Sequence, residues 1–329
     1  MPLINRCGGG GGTPQLCGQV ENFEANPGNL SAILSWTAPS PDEDNSFVGA
    51  RIVRKTGSAP TGINDGTVVY EGTALTYTDT GLTAGTTYYY RAFAYNAKKK
   101  YQTAYRVVSL TAMAIYSNFA DNDWDAIIDA CHSGKVPDTW VVGNSKTMTI
   151  GGKSYRFDIV GNNHDTYTAG GIAPLTFGLH DCYGTKYPMN SSGTNSTGWN
   201  DSEMRTETLP AILAKMPENI QNGIRAVNKL TATSGSSSTI KTASDKLFTF
   251  SEMEVYGSPT KSYSGEGKQY DYYKAGNSKI KKVGSTASWW WLRSPRSNNS
   301  DYFCAVDTDG SINSNYASYS YGVCFGFCF

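Results

Sequence analysis

Residues 287–329 read ASWWWLRSPRSNNSDYFCAVDTDGSINSNYASYSYGVCFGFCF. The stretch opens on an apolar run, Trp289-Trp290-Trp291-Leu292, and closes on another, Val323 to Phe329. Between them the alphabet changes. Residues 294–329 contain no Lys, Glu, Gln, Met or Trp, whereas 258–293 contain six Lys, three Trp, one Glu and one Gln. Asn, Asp, Tyr, Ser and Gly take their place. Asp307-Thr308-Asp309-Gly310 is a strong hairpin signal between Phe303-Cys304-Ala305-Val306 and Ser311-Ile312-Asn313. Strand alternation predicts Cys304 and Val306 inside, with the flanking positions on a presented face. Val323 to Phe329 is apolar on both faces, which predicts a central buried strand.

The rest of the chain bounds what this segment can belong to. At 329 residues the chain is long enough for two domains. An apolar content of 39%, with 35 Gly and 22 Tyr, suits strand-rich, turn-rich globular units better than a disordered chain. Lys plus Arg equals Asp plus Glu at 28 each, so no basic excess favours nucleic acid. No run of apolar residues is long enough to span a membrane. The N-terminal MPLINRCGGGGGTPQLCG has neither the basic start nor the apolar run of a signal peptide. Residues 1–18 read as a glycine-rich tether. Without a secretion signal, reduced thiols are the default for the seven cysteines, although Cys7 and Cys17 flank the glycine run and could pair.

Residues 19–112 read as an antiparallel β-sandwich. Short β-rich runs recur between turn signals: Ala32 to Trp36, Gly49 to Lys55, Thr67 to Tyr70, Leu75 to Tyr77 and Thr86 to Tyr95. Leu34-Ser35-Trp36-Thr37-Ala38-Pro39 and Leu82-Thr83-Ala84-Gly85-Thr86-Thr87-Tyr88 resemble the second strand and the tyrosine corner of a fibronectin type III domain. The resemblance implies Trp36 in the core and Tyr88 bonded back to the preceding turn.

Residues 113–329 read as an α+β domain. Trp124, Ile127, Ile128 and Cys131 share one helical face, which predicts a helix over 122–132. Asp121 or Asn122 would cap it, and Gly134 and Pro137 would end it. Strands are expected at 140–142, 147–150 and 155–160, the last two joined by the Gly151-Gly152 turn. Short helices are expected over 202–228, with Pro210 and Pro217 in first turns and Ile220, Ile224 and Val227 on one face. Ser234 to Ser238 reads as a polar loop.

Ala287-Ser288-Trp289-Trp290-Trp291-Leu292-Arg293-Ser294-Pro295, together with Gly322 to Phe327, resembles the C-type-lectin-fold domain of variable proteins diversified by retroelements in phages and gut bacteria. Trp140 to Lys146, Asn163-His164-Asp165, Ser202 to Arg205 and Ser251 to Gly257 fit the same family, so the resemblance covers about 115–329. It also explains the altered alphabet. Such retroelements substitute template adenines, so an AAY codon for Asn can become any NNY codon, and NNY cannot encode Lys, Glu, Gln, Met or Trp. A turn-rich β segment would also be poor in Lys, Glu and Gln, and that is the plainer reading.

The resemblance implies a ligand-binding face made of Arg296, Asn298, Asn299, Asp301, Tyr302, Asp307, Asp309, Asn313, Asn315, Tyr316, Tyr319 and Tyr321. Ser297, Phe303, Cys304, Val306, Gly310, Ala317, Ser318 and Gly322 would be scaffold between them. The residue types suit binding: Tyr brings contact area with few rotatable bonds, and Asn and Ser bring adaptable hydrogen bonds. The expected protein is not an enzyme. It would carry no cofactor and no metal, and would bind a protein or glycan receptor on another cell. Its setting would be a phage tail or a bacterial surface, with a homotrimer suggested by analogy alone.

Rival chemistry was weighed. Cys324 and Cys328 in one strand would stand roughly 13 Å apart at about 3.3 Å per residue, too far for one zinc or a disulfide. His180-Asp181-Cys182, helped by His164-Asp165, has the residue types of a cysteine-dependent hydrolase. Strand neighbours point to opposite faces, however, so a triad would have to be assembled from distant parts. Asn299, Asp301, Asp307 and Asp309 offer oxygen ligands for calcium, in the manner of a fixed-specificity carbohydrate-binding adhesin. Trp289 to Trp291 could form a stacking platform for sugars. Core packing, either of Trp289 and Trp291 or of Trp290, is the alternative.

Overall fold

The computed structural model describes residues 17–40, 47–103 and 105–329. Most of the tether, including Cys7 and its possible bond to Cys17, lies outside the described residues. Two compact units divide between Ile115 and Tyr116, three residues beyond the boundary read from the sequence.

Among the described residues of the first unit, seven strands form two sheets. The strands are β1 (Glu21–Gly28), β2 (Ser31–Thr37), β3 (Phe47–Thr56), β4 (Thr67–Gly72), β5 (Thr76–Thr80), β6 (Thr87–Asn96) and β7 (Arg106–Thr111). One sheet has the order β1-β2-β5 and the other β4-β3-β6-β7. Alternation in β2 turns Ala32, Leu34 and Trp36 inward, to meet Ala50 and Ile52 of β3 and Tyr88, Tyr90, Ala92 and Ala94 of β6. The Tyr88 hydroxyl accepts from Thr83 N at 3.1 Å, the tyrosine-corner bond. The unit is a fibronectin type III-like sandwich.

The second unit is also mostly strand. Its helices are short, the longest having ten residues. Helix α1 (Trp124–Ser133) starts at Asp123, whose side chain accepts from Ala126 N, and ends on Gly134 in the left-handed region. Asn122 is therefore not the cap. Its side chain instead ties together the backbone of Tyr116, Asn118 and Phe119. Residues 140–142 are not a strand: Trp140 is held in a turn by its N–H to Pro137, and pairing starts only at Ser145. Strands β8 (Ser145–Ile150), β9 (Lys153–Asn162) and β10 (Leu175–Leu179) follow.

A wide helical turn at 204–208 runs into α2 (Leu209–Leu213), and α3 (Glu218–Gly223) stops before Ile224. Val227 does not extend that helix. It opens the hairpin β11 (Val227–Ser234) and β12 (Ser237–Asp245), of which Ser234 to Ser238 is the tip. The chain continues through β13 (Phe248–Thr249), α4 (Glu252–Tyr256) and α5 (Asp271–Lys274). It ends with β14 (Lys281–Val283), β15 (Thr286–Ser288), β16 (Trp290–Pro295), β17 (Tyr302–Val306), β18 (Ile312–Tyr316) and β19 (Phe325–Cys328).

A five-stranded sheet has the order β13-β19-β10-β9-β8, and a three-stranded sheet the order β16-β17-β18. Strand β19 is paired on both sides and fully buried, as the apolar tail predicts. Phe325, Phe327 and Phe329 pack with Trp124, Phe157 and Phe177. Strand alternation fails as a guide in two places. Phe303 and Ala305 are buried as well as Cys304 and Val306, because β17 is the middle strand and is covered on both faces. Trp290 and Trp291 are both buried although β16 is an edge strand of that sheet, with their indole N–H groups donating to the Lys279 and Tyr187 carbonyls at 2.9 Å each. Trp289 is half-exposed.

A buried ionic network fixes the centre of this unit. Lys229 Nζ lies 2.7 Å from both Asp165 and Glu254 and 2.9 Å from the Tyr270 hydroxyl. Burial raises the Asp165 carboxyl pKa. The Lys229 charge and hydrogen bond, with that of Thr176, outweigh burial and bring it from 3.8 to about 2. A folded value below the unfolded one stabilises the fold above the unfolded value, and that stability is lost as pH falls through the folded one. Unfolding by urea at a series of pH values is therefore expected to show about 2 kcal/mol disappearing between pH 4 and pH 2. An Asp165→Asn variant should be less stable at pH 7 and should lack this acid limb.

Candidate ligand-binding face

The turn that leads into β17 is set by its own side chains. Asn298 has φ +57°, in the left-handed region that Asn tolerates better than most residues. The Asn299 side-chain oxygen accepts from Asp301 N and Tyr302 N at 2.8 and 2.7 Å. The turn's backbone is then gripped from outside the segment. Asn195, fully buried, donates to the Asn299 and Tyr302 carbonyls at 2.8 and 2.6 Å and accepts from Gly235 N at 3.0 Å. Asn298 N donates to the Gly235 carbonyl at 2.7 Å, and Ser297 N to that of Lys261 at 2.8 Å.

At the far end of β17, the Asp307 carbonyl accepts from Gly310 N, while Asp309 accepts from Ser311 N. That bonding lowers the Asp309 carboxyl pKa. The Tyr256 hydroxyl donates to the Gly310 carbonyl at 2.8 Å. The turn after β18 is held in the same way. Met189 N and Asn190 N donate to the Ala317 carbonyl, and Tyr187 and Tyr321 exchange backbone bonds. Gly322 is a close approach, since a Cβ there would stand 2.4 Å from the Cys182 sulfur.

On this frame all twelve candidate residues reach the surface. Asn298, Asp309, Tyr316 and Tyr319 are exposed. Arg296, Asn299, Asp301, Tyr302, Asp307, Asn313, Asn315 and Tyr321 are half-exposed. Of the expected scaffold, Phe303, Cys304, Val306, Ala317 and Gly322 are buried, and Ser297 and Gly310 are half-buried. Ser318 is exposed, so it belongs with the surface.

Register places Tyr302 opposite Tyr316, with ring centroids 4.5 Å apart. The aromatic row continues through Tyr319 at 5.6 Å and Tyr321 at 6.3 Å, and then to Trp291 and Trp289 at 4.8 and 5.1 Å. The Arg296 guanidinium lies over Tyr302, 5.5 Å from its centroid. Asn315 donates to the Tyr321 hydroxyl at 2.6 Å, and Asn313 to Asp307 at 3.2 Å. The result is a ridge of edge-to-face and tilted rings bordered by amides and carboxylates.

The oxygen-rich residues do not converge on one ion. Asn299 and Asp301 precede β17 and Asp307 and Asp309 follow it, five strand residues apart. Among the described residues, no group of three His, Cys, Asp or Glu is placed to hold a metal. The parts considered for a hydrolase are also separately employed. His164 stacks on Tyr270 at 4.0 Å, Asp165 belongs to the Lys229 network, and His180 bonds Asp158 at 2.6 Å. Cys182 is buried, and that burial raises its thiol pKa far above the ordinary value.

The contributors that sequence reading missed are Tyr187, Asn195, Gly235 and Tyr256. They act through hydrogen bonds and close approach to backbone, which leave no periodic signal. Trp289, set aside as core, is half-exposed beside Tyr321.

No curated protein sequence matches the chain. Among solved structures it is similar to a computationally redesigned β-sandwich protein, at 21% identity over 30% of this chain and 93% of that one, with a TM-score of 0.24. It is also similar to the fibronectin type III domain of human fibronectin type III domain containing protein 3, at 20% identity over 32% and 94%, with a TM-score of 0.27. The third fibronectin III domain of another human protein is similar at 18% identity over 35% and 97%, with a TM-score of 0.24. Residues 175–328, which carry the whole candidate face, match the model of DUF6273, a domain of unknown function.

Proposed function

We propose that the protein is a receptor-binding protein of a phage tail or bacterial surface. In this reading the second unit is a C-type-lectin-fold variable domain, and its face at 296–321 is diversified by a retroelement. One observation carries the reading: twelve side chains reach the surface while their backbone is held by residues outside the segment. Such a frame keeps its shape when the side chains change, which is what a diversified face needs. Two positions fit less freely. Asn298 is confined by its φ and Asn299 by its turn bonds, so variation there is expected to favour Asn, Asp or Gly. A fixed-specificity carbohydrate-binding adhesin is the second reading, favoured by the half-exposed Trp289 beside Tyr321.

The flanking DNA separates the two. A near-copy of the segment encoding 292–329, differing at adenines and lying beside a reverse-transcriptase gene, supports diversification. Sibling genomes with an unchanged segment and no such copy favour the adhesin. In the protein, Tyr316→Ala with Tyr319→Ala is expected to lower stability by only about 1 kcal/mol per residue, the scale of an aromatic pair. The same double variant should abolish attachment in a cell-binding assay over a panel of bacterial strains. A collapse of the thermal midpoint would make these rings structural instead.

A further inference from the structure

A second site lies away from the tyrosine ridge. Lys153, Tyr155, Arg156, His180, Asp181, Cys182 and Lys282 line a cavity of about 340 Å³. Behind two of these residues is the buried carboxylate of Asp158, which lies 2.6 Å from His180 Nδ1, 3.0 Å from Arg156 Nε and 3.0 Å from the Tyr272 hydroxyl. Burial acts to raise the Asp158 pKa, but the His180 hydrogen bond and the charges of His180 and Arg156 outweigh it and hold it below the ordinary value.

One carboxylate thus fixes the orientation of both an imidazole and a guanidinium. The arrangement leaves His180 Nε2 and the two terminal nitrogens of Arg156 without a protein partner among the described residues. The backbone around them is braced. His180 N donates to the Arg156 carbonyl, Cys182 N to that of Lys282, and buried Lys281 to the Leu179 and His180 carbonyls. Asp181 already accepts from Lys282 N. The open rim is cationic, with exposed Lys153, Arg156 and Lys282. On a chain of formal net charge zero, this is a segregated positive patch in a concave site, which concentrates small anions.

We propose that this cleft binds a tetrahedral oxyanion, a phosphate or sulfate group, carried by a sugar or free in solution. Arg156 presents a planar fork, the geometry that pairs two oxygens at once, and Lys153 and Lys282 add point charges. Tyr155, which lines the cavity and stacks on Tyr183 with ring centroids 5.2 Å apart, gives a sugar carrier an apolar surface.

The test is isothermal titration calorimetry of the full chain at pH 7 and low ionic strength. The probes are inorganic phosphate, inorganic sulfate, glucose 6-phosphate and, as a neutral control, glucose. Saturable binding of the anions and none of glucose is expected. Arg156→Gln with Lys282→Gln should weaken binding at least about tenfold, and Tyr319→Ala should leave it unchanged. Tighter binding of glucose 6-phosphate than of inorganic phosphate assigns the site to a sugar ester, and equal binding assigns it to the free anion. Should the first variant disturb the fold, Lys153→Gln with Lys282→Gln removes only exposed ammonium groups and carries the same expectation. No saturable binding of any anion at millimolar concentration overturns the proposal, as does unchanged affinity in the folded variants.

Discussion

Arg293→Met is expected to destabilise the second unit by about 3–5 kcal/mol, the usual consequence of removing one partner from a buried ion pair. Arg293 is fully buried and grips Glu254 through two nitrogens, at 2.6 and 2.8 Å. Its remaining N–H groups serve the carbonyls of Leu230, Thr249 and Glu266 at 2.8–3.1 Å. One side chain on β16 thus ties that strand to β11, β13 and the loop before α5. Met fills much of the volume but leaves Glu254 with Lys229 and the Ser251 N–H, and leaves three carbonyls without these donors. Arg293→Lys keeps the charge and loses the fork, so an intermediate loss is expected. Urea unfolding at pH 7 checks both variants. A loss below about 1 kcal/mol for the Met variant would mean the network is not what holds these elements together.

Gly235→Ala is expected to cost about 3 kcal/mol, at the upper end of ordinary overpacking. An added Cβ would stand 1.8 Å from the Asn299 carbonyl oxygen, 2.4 Å from that of Arg296 and 2.5 Å from Asn195 Nδ2. Two of these neighbours are backbone and the third is the side chain that holds the turn, so none can yield cheaply. The effect should be local first. Amide hydrogen exchange is expected to quicken at 296–302 before the rest of the unit, because this turn rests directly on the β11–β12 tip. Uniform exchange and an unchanged melting midpoint would show that the turn stands without that support.

The sequence made some of this legible. The resemblance to a fibronectin type III domain implied the corner bond of Tyr88, and the apolar run of Val323 to Phe329 showed its own burial, because such a run writes core positions directly. Asp307 to Gly310 declared its hairpin through turn chemistry. Failures came where burial is two-sided or a bond is long-range. Trp290 and Trp291 are adjacent yet both buried, which no alternation rule anticipates. Val227 matched a helical face but starts a strand, since the pairing of β11 with β12 outweighs a short periodic match. Lys229 and Arg293 read as ordinary charges in the sequence and are fully buried in the fold, because their partners Asp165 and Glu254 are brought in from elsewhere in the chain. Asn195 is one polar residue among many between 190 and 200, and only the fold reveals that it holds the turn.

Display of an adjustable face on an independently fixed backbone is tested most directly by a protease-resistance selection on two libraries. One carries NNY codons at Arg296, Asp301, Tyr302, Asp307, Asp309, Asn313, Asn315, Tyr316, Tyr319 and Tyr321. The other carries them at Phe303, Cys304, Val306, Ser314 and Ala317. Most members of the first library are expected to stay folded and most of the second to be lost. Equal loss from both would contradict a face that varies independently of its frame.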